Sequence, residues 1–341
     1  MTTHLRSHSR LALALGLSGA LFLSACTTGN EEPADDAAAD DAAADDSAAD
    51  DGAGESEAAG GGDEDCTIGM TQINQTAVFF TQMNEGAQEA ADAAGCELVI
   101  ANANNDSAKQ SDDIENFMTQ GIDGLIVVAI DVNGVMPAVE AAQAQDIPVV
   151  AIDAELEGVE TFVGVDNLGA GKEAGEWMVE NGLIEGRSYG VVDAKNSFIQ
   201  NQREDSFREV IDAGGAEYTQ SVNGENVQET AATAAQDLIT AQPELGFIYT
   251  TGEPATVGAT AALGGGGDTK IIGWDLTKEV IGGIDSGVVE AVIQQDPKQE
   301  GVEAVNELKA ILGGAEPQGF IDVPITIVTS ENVDDFRAIF E

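Results

Sequence analysis

The sequence is poor in basic residues, histidine, cysteine and aromatic residues. It has 13 lysines and arginines against 62 aspartates and glutamates, which gives a formal net charge of −49 at pH 7. So large a negative charge argues against a nucleic-acid partner and against adsorption to an anionic membrane surface. The excess of acid identifies no partner by itself, and a solvated acidic surface suited to a salty medium explains it.

The two histidines, His4 and His8, lie within the first ten residues. If that segment is removed on maturation, Ser-His-Asp and Cys-His catalysis and histidine-liganded metal sites are excluded from the mature chain. No Gly-x-x-x-x-Gly-Lys phosphate-binding motif is present either. We therefore expect no enzyme, no metal and no cofactor, although the abundant carboxylates leave carboxylate-only catalysis, as in a glycosidase, formally open.

The N-terminus has the features of an export signal. Arg6 and Arg10 precede an apolar run at 11–25, which is shorter than the ~20 residues needed to span a bilayer. Leu-Ser-Ala-Cys at the end of the run resembles a bacterial lipobox, which implies a signal peptide at 1–25 and lipidation of Cys26. The alternative is a membrane-anchor helix followed by a chance cysteine. We expect an extracytoplasmic protein, lipid-anchored to the plasma membrane.

Residues 26–65 are predicted to form a disordered acidic tether that follows the lipidated cysteine. Positions 27–65 hold 15 acidic residues and no basic one, and repeat Ala-Ala-Asp-Asp units. Such a segment cannot bury enough apolar surface to offset the entropy lost on ordering, and its like charges keep it extended. Its expected role is to hold a folded domain away from the membrane.

Residues 66–341 alternate short apolar runs with helical patterns. One pattern places Ile114, Phe117, Met118 and Ile122 on one helix face. Alternating strands and helices predict parallel sheets with right-handed crossovers. Because there are too many strands for one sheet and the pattern restarts near Ser188, we predict an α/β fold of two doubly wound parallel-sheet lobes.

Two cysteines, Cys66 and Cys96, each stand directly before an apolar run. If the two strands are parallel neighbours, their first residues lie side by side, and an oxidising compartment favours a disulfide between them. Two free buried thiols are the alternative.

Ligands of doubly wound sheets bind at the carboxyl ends of the strands. The residues that follow the apolar runs are Asn74 to Phe80, Asp153, Lys195 to Arg203, Thr251 to Glu253, Trp274-Asp275 and Gln294-Gln295. They combine flat aromatic rings, two carboxylates, one arginine and several amides. Rings cover the apolar faces of a sugar, and the polar groups bind its hydroxyls.

The order of several short motifs makes the chain similar to a known family. They are Phe79-Phe80 before Gly86-Ala87-Gln88-Glu89, Gln120-Gly121-Ile122-Asp123-Gly124, Ile147-Pro148 to Asp153, Val165-Asp166-Asn167, Arg203 before Phe207, Ile272-Gly273-Trp274-Asp275, and Gln295 before Asp296-Pro297. The domain resembles the type I periplasmic binding proteins, in particular the ribose-binding branch of sugar receptors of ABC importers. The resemblance covers nearly all of 66–341.

The resemblance implies a set of binding residues. Phe79, Phe80 and Trp274 would line the faces of a sugar ring, Asp153 and Asp275 would accept hydrogen bonds from hydroxyls, Arg203 would bridge oxygens, and Gln295 would contact the ligand beside the hinge. The nearby polar residues Asn74, Gln75, Asn201, Asn226 and Glu253 are weaker candidates. Each main candidate also has a structural alternative, such as core packing for Phe79, Phe80 or Trp274, a helix cap for Asp153 and a surface ion pair for Arg203.

Four positions depart from the ribose-binding pattern. Ala77 and Gly252 stand where that pattern has Asn, Ala154 where it has Arg, and Asn226 where it has Phe. We therefore do not assign ribose, and expect another pentose, a deoxy sugar or a polyol, with a nucleoside or a small furanose signal left open.

The resemblance also implies how the lobes are built and how they work. The N-terminal lobe would comprise 66–166 and 296–322, and the C-terminal lobe 167–295 and 323–341, joined by a three-crossing hinge. The receptor, expected to be a monomer, would close on its ligand and dock on an ABC permease. An extracellular sensor subunit remains the alternative; a transcription regulator of this fold is disfavoured by the export signal.

Overall fold

The computed structural model describes residues 66–75, 77–264 and 267–340. The predicted signal peptide at 1–25, the lipidation of Cys26 and the tether at 26–65 lie outside the described residues. Within the described part, no helix is long and apolar enough to cross a membrane.

The strands of the described residues are short and mostly buried. They are β1 (Cys66–Gln72), β2 (Cys96–Asn102), β3 (Gly124–Val127), β4 (Val149–Ile152), β5 (Thr161–Gly164), β6 (Ser188–Asp193), β7 (Glu217–Asn223), β8 (Phe247–Thr250), β9 (Lys270–Trp274), β10 (Val289–Gln294), β11 (Gly319–Asp322) and β12 (Thr326–Val328).

Helices alternate with these strands along the chain. They are α1 (Val78–Ala94), α2 (Ser107–Gln120), α3 (Val132–Gln143), α4 (Asn167–Glu180), α5 (Phe198–Ala213), α6 (Gln228–Ala241), α7 (Glu253–Leu263), α8 (Lys278–Asp285), α9 (Pro297–Leu312) and α10 (Arg337–Phe340), with a 3-10 turn at Val333–Asp335 before the last.

The strands form two six-stranded sheets, which confirms the predicted fold of two α/β lobes. The first has the order β11-β5-β4-β3-β1-β2 and is parallel throughout. The second has the order β12-β10-β9-β8-β6-β7, with only β12 antiparallel to its neighbour. Each sheet carries a buried apolar cluster on both faces, as expected when helices cover both sides.

Glycine sets both the ends and the packing of the helices nearest the first sheet. Helix α1 stops at Gly95, which takes a left-handed φ of 70°. Helix α2 stops at Gly121. Ile122, which the apolar spacing places on this helix, therefore lies just beyond its end. Helices α1 and α9 approach closely, because a Cβ at Gly86 would collide with the Lys298 carbonyl oxygen.

A disulfide joins Cys66 to Cys96 at the starts of β1 and β2. The two residues are direct partners in the parallel register, with 4.6 Å between their Cα atoms. The bridge therefore fixes the edge of the first sheet at the end opposite to the carboxyl ends of its strands.

The chain passes between the two sheets three times. It leaves β5 for α4, returns from β10 to α9, and leaves β11 for β12. Asp166 and Asp296 each cap the helix that follows, accepting the Gly169 and Gln299 backbone N–H groups at 3.0 Å. The Asp166 N–H also donates to the Asp322 carboxylate at 2.9 Å, which ties the first crossing to the third.

Candidate ligand-binding site

Two aspartates occupy equivalent positions in the two lobes. Asp153 directly follows β4, and Asp275 directly follows β9. Both take a left-handed φ, of 66° and 61° respectively, and both donate their N–H to the neighbouring strand, at Val163 and Ile293. A non-glycine residue in this region costs free energy and is typical of functional sites. The backbone thus turns each carboxylate-bearing residue out of its sheet at the carboxyl edge.

Arg203 lies between these elements. It projects from the second turn of α5 and is 3 % exposed. Its Nε donates to Asn167 Oδ1 at 2.7 Å, its Nη2 to Gln295 Oε1 at 3.2 Å, and its Nη1 weakly to the Thr251 carbonyl oxygen at 3.4 Å. Asn167 and Gln295 lie at two of the three crossings, so the guanidinium is held by the hinge.

Gln295 connects Arg203 to one of the aspartates. Its Nε2 donates to Asp275 Oδ1 at 2.9 Å and to Oδ2 at 3.2 Å, while its Oε1 accepts from Arg203. A single amide therefore fixes the orientation of both a cation and an anion. Such a chain of buried hydrogen bonds is pre-organised, because each member limits the rotamers of the next.

Trp274 lies behind Arg203 and has no exposed surface. The guanidinium carbon stands 3.6 Å from the centroid of the indole, and the indole Nε1 donates to the Tyr249 hydroxyl at 2.8 Å. This position differs from the expected contact with a ligand face. Since the ring is anchored in the core of the second lobe and covered by Arg203, it supports the guanidinium by a cation–π contact.

The charges of the two lobes act on each other across this site. Burial raises the pKa of Asp153 to about 6, an effect opposed by Arg203 and reinforced by Asp275. Burial also raises the pKa of Asp275, against the stabilising effects of Arg203 and Gln295. The charges of Asp153 and Asp275, one from each lobe, therefore both interact with that of Arg203.

A cavity of about 230 Å³ opens between the lobes next to Asp275. Ala77, Phe79 and Gln82 line it from the first lobe, and Glu253 lies opposite in the second. Burial, reinforced by Asp275, raises the pKa of Glu253 to about 7. The cavity brings together Phe79, Asp275 and Glu253, which the sequence selects, with carboxyl groups on its second-lobe side.

Phe79 and Phe80 open helix α1 and touch each other edge to face, with ring centroids 5.3 Å apart. Both are partly buried against the apolar cluster of the first lobe. Phe79 lines the cavity beside Asp275, whereas Phe80 is not among the residues that line it. One ring of the pair thus faces the interlobe space.

Asn74 and Gln75 lie in the loop between β1 and α1. The Asn74 side chain accepts the Ala77 N–H at 3.0 Å and donates to Asn105 at 3.3 Å, so it shapes this loop. Gln75 is exposed.

Asn201 and Asn226 have structural partners within the second lobe. Asn201 donates to the Lys195 carbonyl oxygen at 3.2 Å. Asn226 accepts from Gln200 Nε2 at 2.8 Å, and Gln200 in turn accepts the Thr251 hydroxyl at 2.8 Å. These contacts connect the loops that follow β6, β7 and β8 near Arg203.

Sequence reasoning did not select Asn167, Gln200 or Glu300 as site residues. Asn167 was quoted only as part of a motif, although its side chain holds Arg203. Gln200 lies within a selected range without being singled out. Glu300, in the first turn of α9, is fully buried. No local pattern marks Asn167 or Gln200, since each acts through contacts between distant segments.

The part of the site that the structure describes offers hydrogen-bonding and charged groups but shows no nucleophile with its base. Among the described residues, no three His, Cys, Asp or Glu side chains converge to hold a metal ion. Ser188, within Gly186-Arg187-Ser188-Tyr189-Gly190, begins β6 at the amino end of the sheet, not after a strand as a nucleophile elbow requires. The site is therefore suited to holding a small polar molecule.

Comparison with known proteins agrees with this geometry. Residues 68–316 match the family described as the periplasmic binding protein domain. The chain is 28 % identical over 276 residues to the ribose import binding protein RbsB of Bacillus subtilis, covering 80 % of this chain and 90 % of that protein.

Two solved structures share the fold. One is the periplasmic ribose ABC transporter protein of Conexibacter woesei, with a TM-score of 0.75, 23 % identity, and coverage of 80 % of this chain and 95 % of that one. The other is the arabinose-binding protein AraP of Geobacillus stearothermophilus, with a TM-score of 0.74, 21 % identity, and coverage of 80 % and 99 %.

Proposed function

Because this chain belongs to the periplasmic binding protein domain family, we propose that it is the extracytoplasmic solute receptor of an ABC importer. The observation that carries the proposal is the interlobe cavity lined by Phe79 from the first lobe and Asp275 from the second, where Asp275 is linked through Gln295 to the buried Arg203. Asp153, at the equivalent strand end of the first lobe, acts electrostatically on the same Arg203. A ligand that contacts both aspartates stabilises the closed arrangement of the lobes. Only such a difference in affinity between states shifts a conformational equilibrium.

The ligand class that fits is a monosaccharide or a polyol. Carboxylates accept hydroxyl protons, and arginine and glutamine donate to ring or hydroxyl oxygens. Phe79 supplies a flat apolar surface at the cavity. Ribose and arabinose appear in the names of the similar proteins, which supports a small sugar without naming it. The receptor does no chemistry on its ligand.

Closure takes place about the three crossings near 166–167, 295–296 and 322–323. The N-terminal lobe comprises 66–166 and 296–322, and the C-terminal lobe comprises 167–295 and 323–341. Strand and helix membership supports these bounds, since β11 joins the first sheet and β12 the second. The hinge residues Asn167 and Gln295 hold Arg203, so closure and ligand contact share the same side chains.

Export and anchoring complete the proposal. The signal at 1–25 directs secretion, Cys26 carries the lipid, and 26–65 tethers a monomeric receptor near its permease. Metabolic labelling with a radioactive fatty acid tests this, with Cys26→Ser as the variant that must lose the label.

A thermal-shift screen of the purified full-length chain against pentoses, hexoses, deoxy sugars, polyols and nucleosides tests the ligand class. A ligand that binds only the folded state raises Tm by mass action, by ~2.7 kcal/mol of stability at one hundred times Kd. The rise is expected for one sugar or polyol, lost in Asp275→Asn and kept in Asp112→Asn, an exposed aspartate on α2. A rise with nucleosides alone refutes the substrate class, and equal responses of the two variants refute the site.

A further inference from the structure

Gln82 is a polar residue of helix α1 whose side chain lines the interlobe cavity. It follows Phe79 by three residues, which places both side chains on one face of the helix. Of the described residues that line the cavity from the first lobe, Ala77, Val78, Phe79 and Pro297 are apolar, and Gln82 alone has a polar side chain. Within the described residues, the first lobe therefore offers one side chain that can hydrogen-bond a ligand in this cavity.

The amide group of Gln82 has an unused donor. Its Nε2 is shielded from solvent and has no hydrogen-bond partner among the described residues, although the residue as a whole is only partly buried. Leaving a buried donor unpaired costs free energy, and native proteins pair such groups, so this one requires an explanation. The terminal torsion of a glutamine side chain is soft, so the amide can turn its N–H toward an oxygen in the cavity. Turning breaks no hydrogen bond of Nε2 within the described residues.

Other glutamines show what a structural amide looks like in this protein. Gln294 lines the same cavity, but it accepts the Leu276 N–H at 2.7 Å and donates to the Gln295 carbonyl oxygen at 2.7 Å. Gln110 is bonded through both ends of its amide to backbone groups just after β3, at 2.8 and 2.9 Å. Both amides fix the backbone beside them. Gln82 has no such task for its Nε2 in the described residues, which leaves that donor for a ligand.

The opposite side of the cavity supplies acceptors. Glu253 and Asp275 line it from the second lobe, and their carboxyl groups can accept hydroxyl protons. Lys278 also lines the cavity, but its side chain belongs to an exposed residue. A hydroxyl group both donates and accepts, so it can donate to a second-lobe carboxylate and accept from the Gln82 amide. The two sides of the cavity are thus complementary to hydroxyl groups.

We propose that Gln82 is a ligand-binding residue that determines specificity, and that its amide donates to a hydroxyl oxygen of the bound sugar or polyol. The inference rests on the proposed function and narrows its substrate class. The ligand carries a hydroxyl group at the carbon that faces α1, and a sugar with hydrogen at that carbon is rejected. Rejection follows because the deoxy form leaves the shielded amide unpaired.

Two other arrangements make different predictions. If Gln82 only binds a water molecule, its substitution leaves the affinity for every sugar unchanged. If closure brings Gln82 directly against Glu253, its substitution weakens all ligands by the same factor, because the lost contact joins the lobes and not the ligand. Only a contact with one hydroxyl group changes the preference for that group.

The experiment is titration calorimetry of the full-length chain with aldopentoses, aldohexoses and alditols, each compared with its monodeoxy forms. Wild type should prefer hydroxyl over hydrogen at the carbon facing α1 by about tenfold. Gln82→Met keeps an unbranched side chain of similar length without a donor. It should bind the parent sugar about tenfold more weakly, bind that deoxy form as well as wild type does, and keep the preferences at the other carbons.

Gln88→Met is the matched control. Gln88 is an exposed glutamine of the same helix whose amide donates to Asp92 at 2.8 Å. This variant should keep the affinity for the parent sugar and every deoxy preference of the wild type.

The outcomes separate this inference from the proposed function. Unchanged affinities in Gln82→Met, or a uniform loss that keeps every deoxy preference, overturn the role of Gln82 and leave the sugar receptor standing. Failure of wild type to bind any of the probes overturns both. The Tm of Gln82→Met without probe shows that it folds, and Gln82→Ala, which also removes the donor, gives the same reading if the methionine variant does not.

Discussion

Replacement of Asp153 by asparagine should make the stability of the protein less sensitive to pH. The ordinary pKa of an aspartate, 3.8, rises to about 6 at Asp153 in the folded state. Between these two values, the folded protein holds a proton that the unfolded chain has already lost. The free energy of unfolding therefore falls as pH rises through this interval, and the full loss is present above pH 6.

The magnitude follows from the two pKa values. A tenfold change in a proton-binding constant is worth ~1.36 kcal/mol, so the rise at Asp153 corresponds to ~3 kcal/mol. Because Asp153 is partly exposed, solvent reduces this figure, and we expect about 2 kcal/mol. An asparagine side chain does not titrate, so Asp153→Asn should be nearly as stable as the wild type at pH 4 and ~2 kcal/mol more stable at pH 7.

Urea unfolding of both proteins at several pH values from about 4 to about 7.5 measures this difference. The comparison cancels the general repulsion within a highly acidic chain, which affects both proteins alike. Asp112→Asn, which removes an exposed carboxylate, serves as the control and should track the wild type. A stability difference for Asp153→Asn that stays constant across the pH range would refute the argument that burial of this carboxyl group opposes its ionisation.

Two further predictions concern packing and the disulfide. Gly86→Ala should lower the free energy of unfolding in urea by ~1–3 kcal/mol, since the added Cβ would collide with the Lys298 carbonyl oxygen. Gly282→Ala, in α8 with open space around it, should instead raise it by about 0.5–1 kcal/mol. Equal effects of the two variants would contradict the close contact of α1 and α9. Cys96→Ser should lower the free energy of unfolding by ~3–4 kcal/mol, because the bridge joins cysteines separated by 30 residues. A reducing agent should lower the stability of the wild type by the same amount and leave the variant unchanged. This pattern would assign the lost stability to the bridge.

The two-lobe architecture could be predicted from the sequence because parallel strands buried on both faces appear as short apolar runs. The runs at 125–130 and 149–152, for example, overlap β3 and β4. Strands β11 and β12 gave no such signal, since β11 is a largely exposed edge strand and β12 has three residues. The residues of β11 are mostly exposed to solvent, so their sequence need not be apolar.

The candidate site shows the same limit. Asp153 and Asp275 were selected because they follow strands, which is information local to the chain. Neither the left-handed φ at these aspartates nor the burial of Trp274 behind Arg203 has a local cause. Glu300 was missed for the same reason, because the charges that act on it come from the ends of β4 and β9.

The order in which the chain becomes available limits how either lobe is completed. The first sheet begins at Cys66, yet its edge strand β11 and its covering helix α9 come from 297–322, after nearly all of the second sheet has been made. Because the chain is made from its N-terminus, the first segments of this sheet are complete long before their partners β11 and α9 exist. The disulfide between β1 and β2 spans a separation of only 30 residues, so it can fix one edge early. A chain truncated before α9 would lack α9 and β11 of the first lobe and β12 of the second. The folding of both lobes therefore depends on the segment from 297 onward.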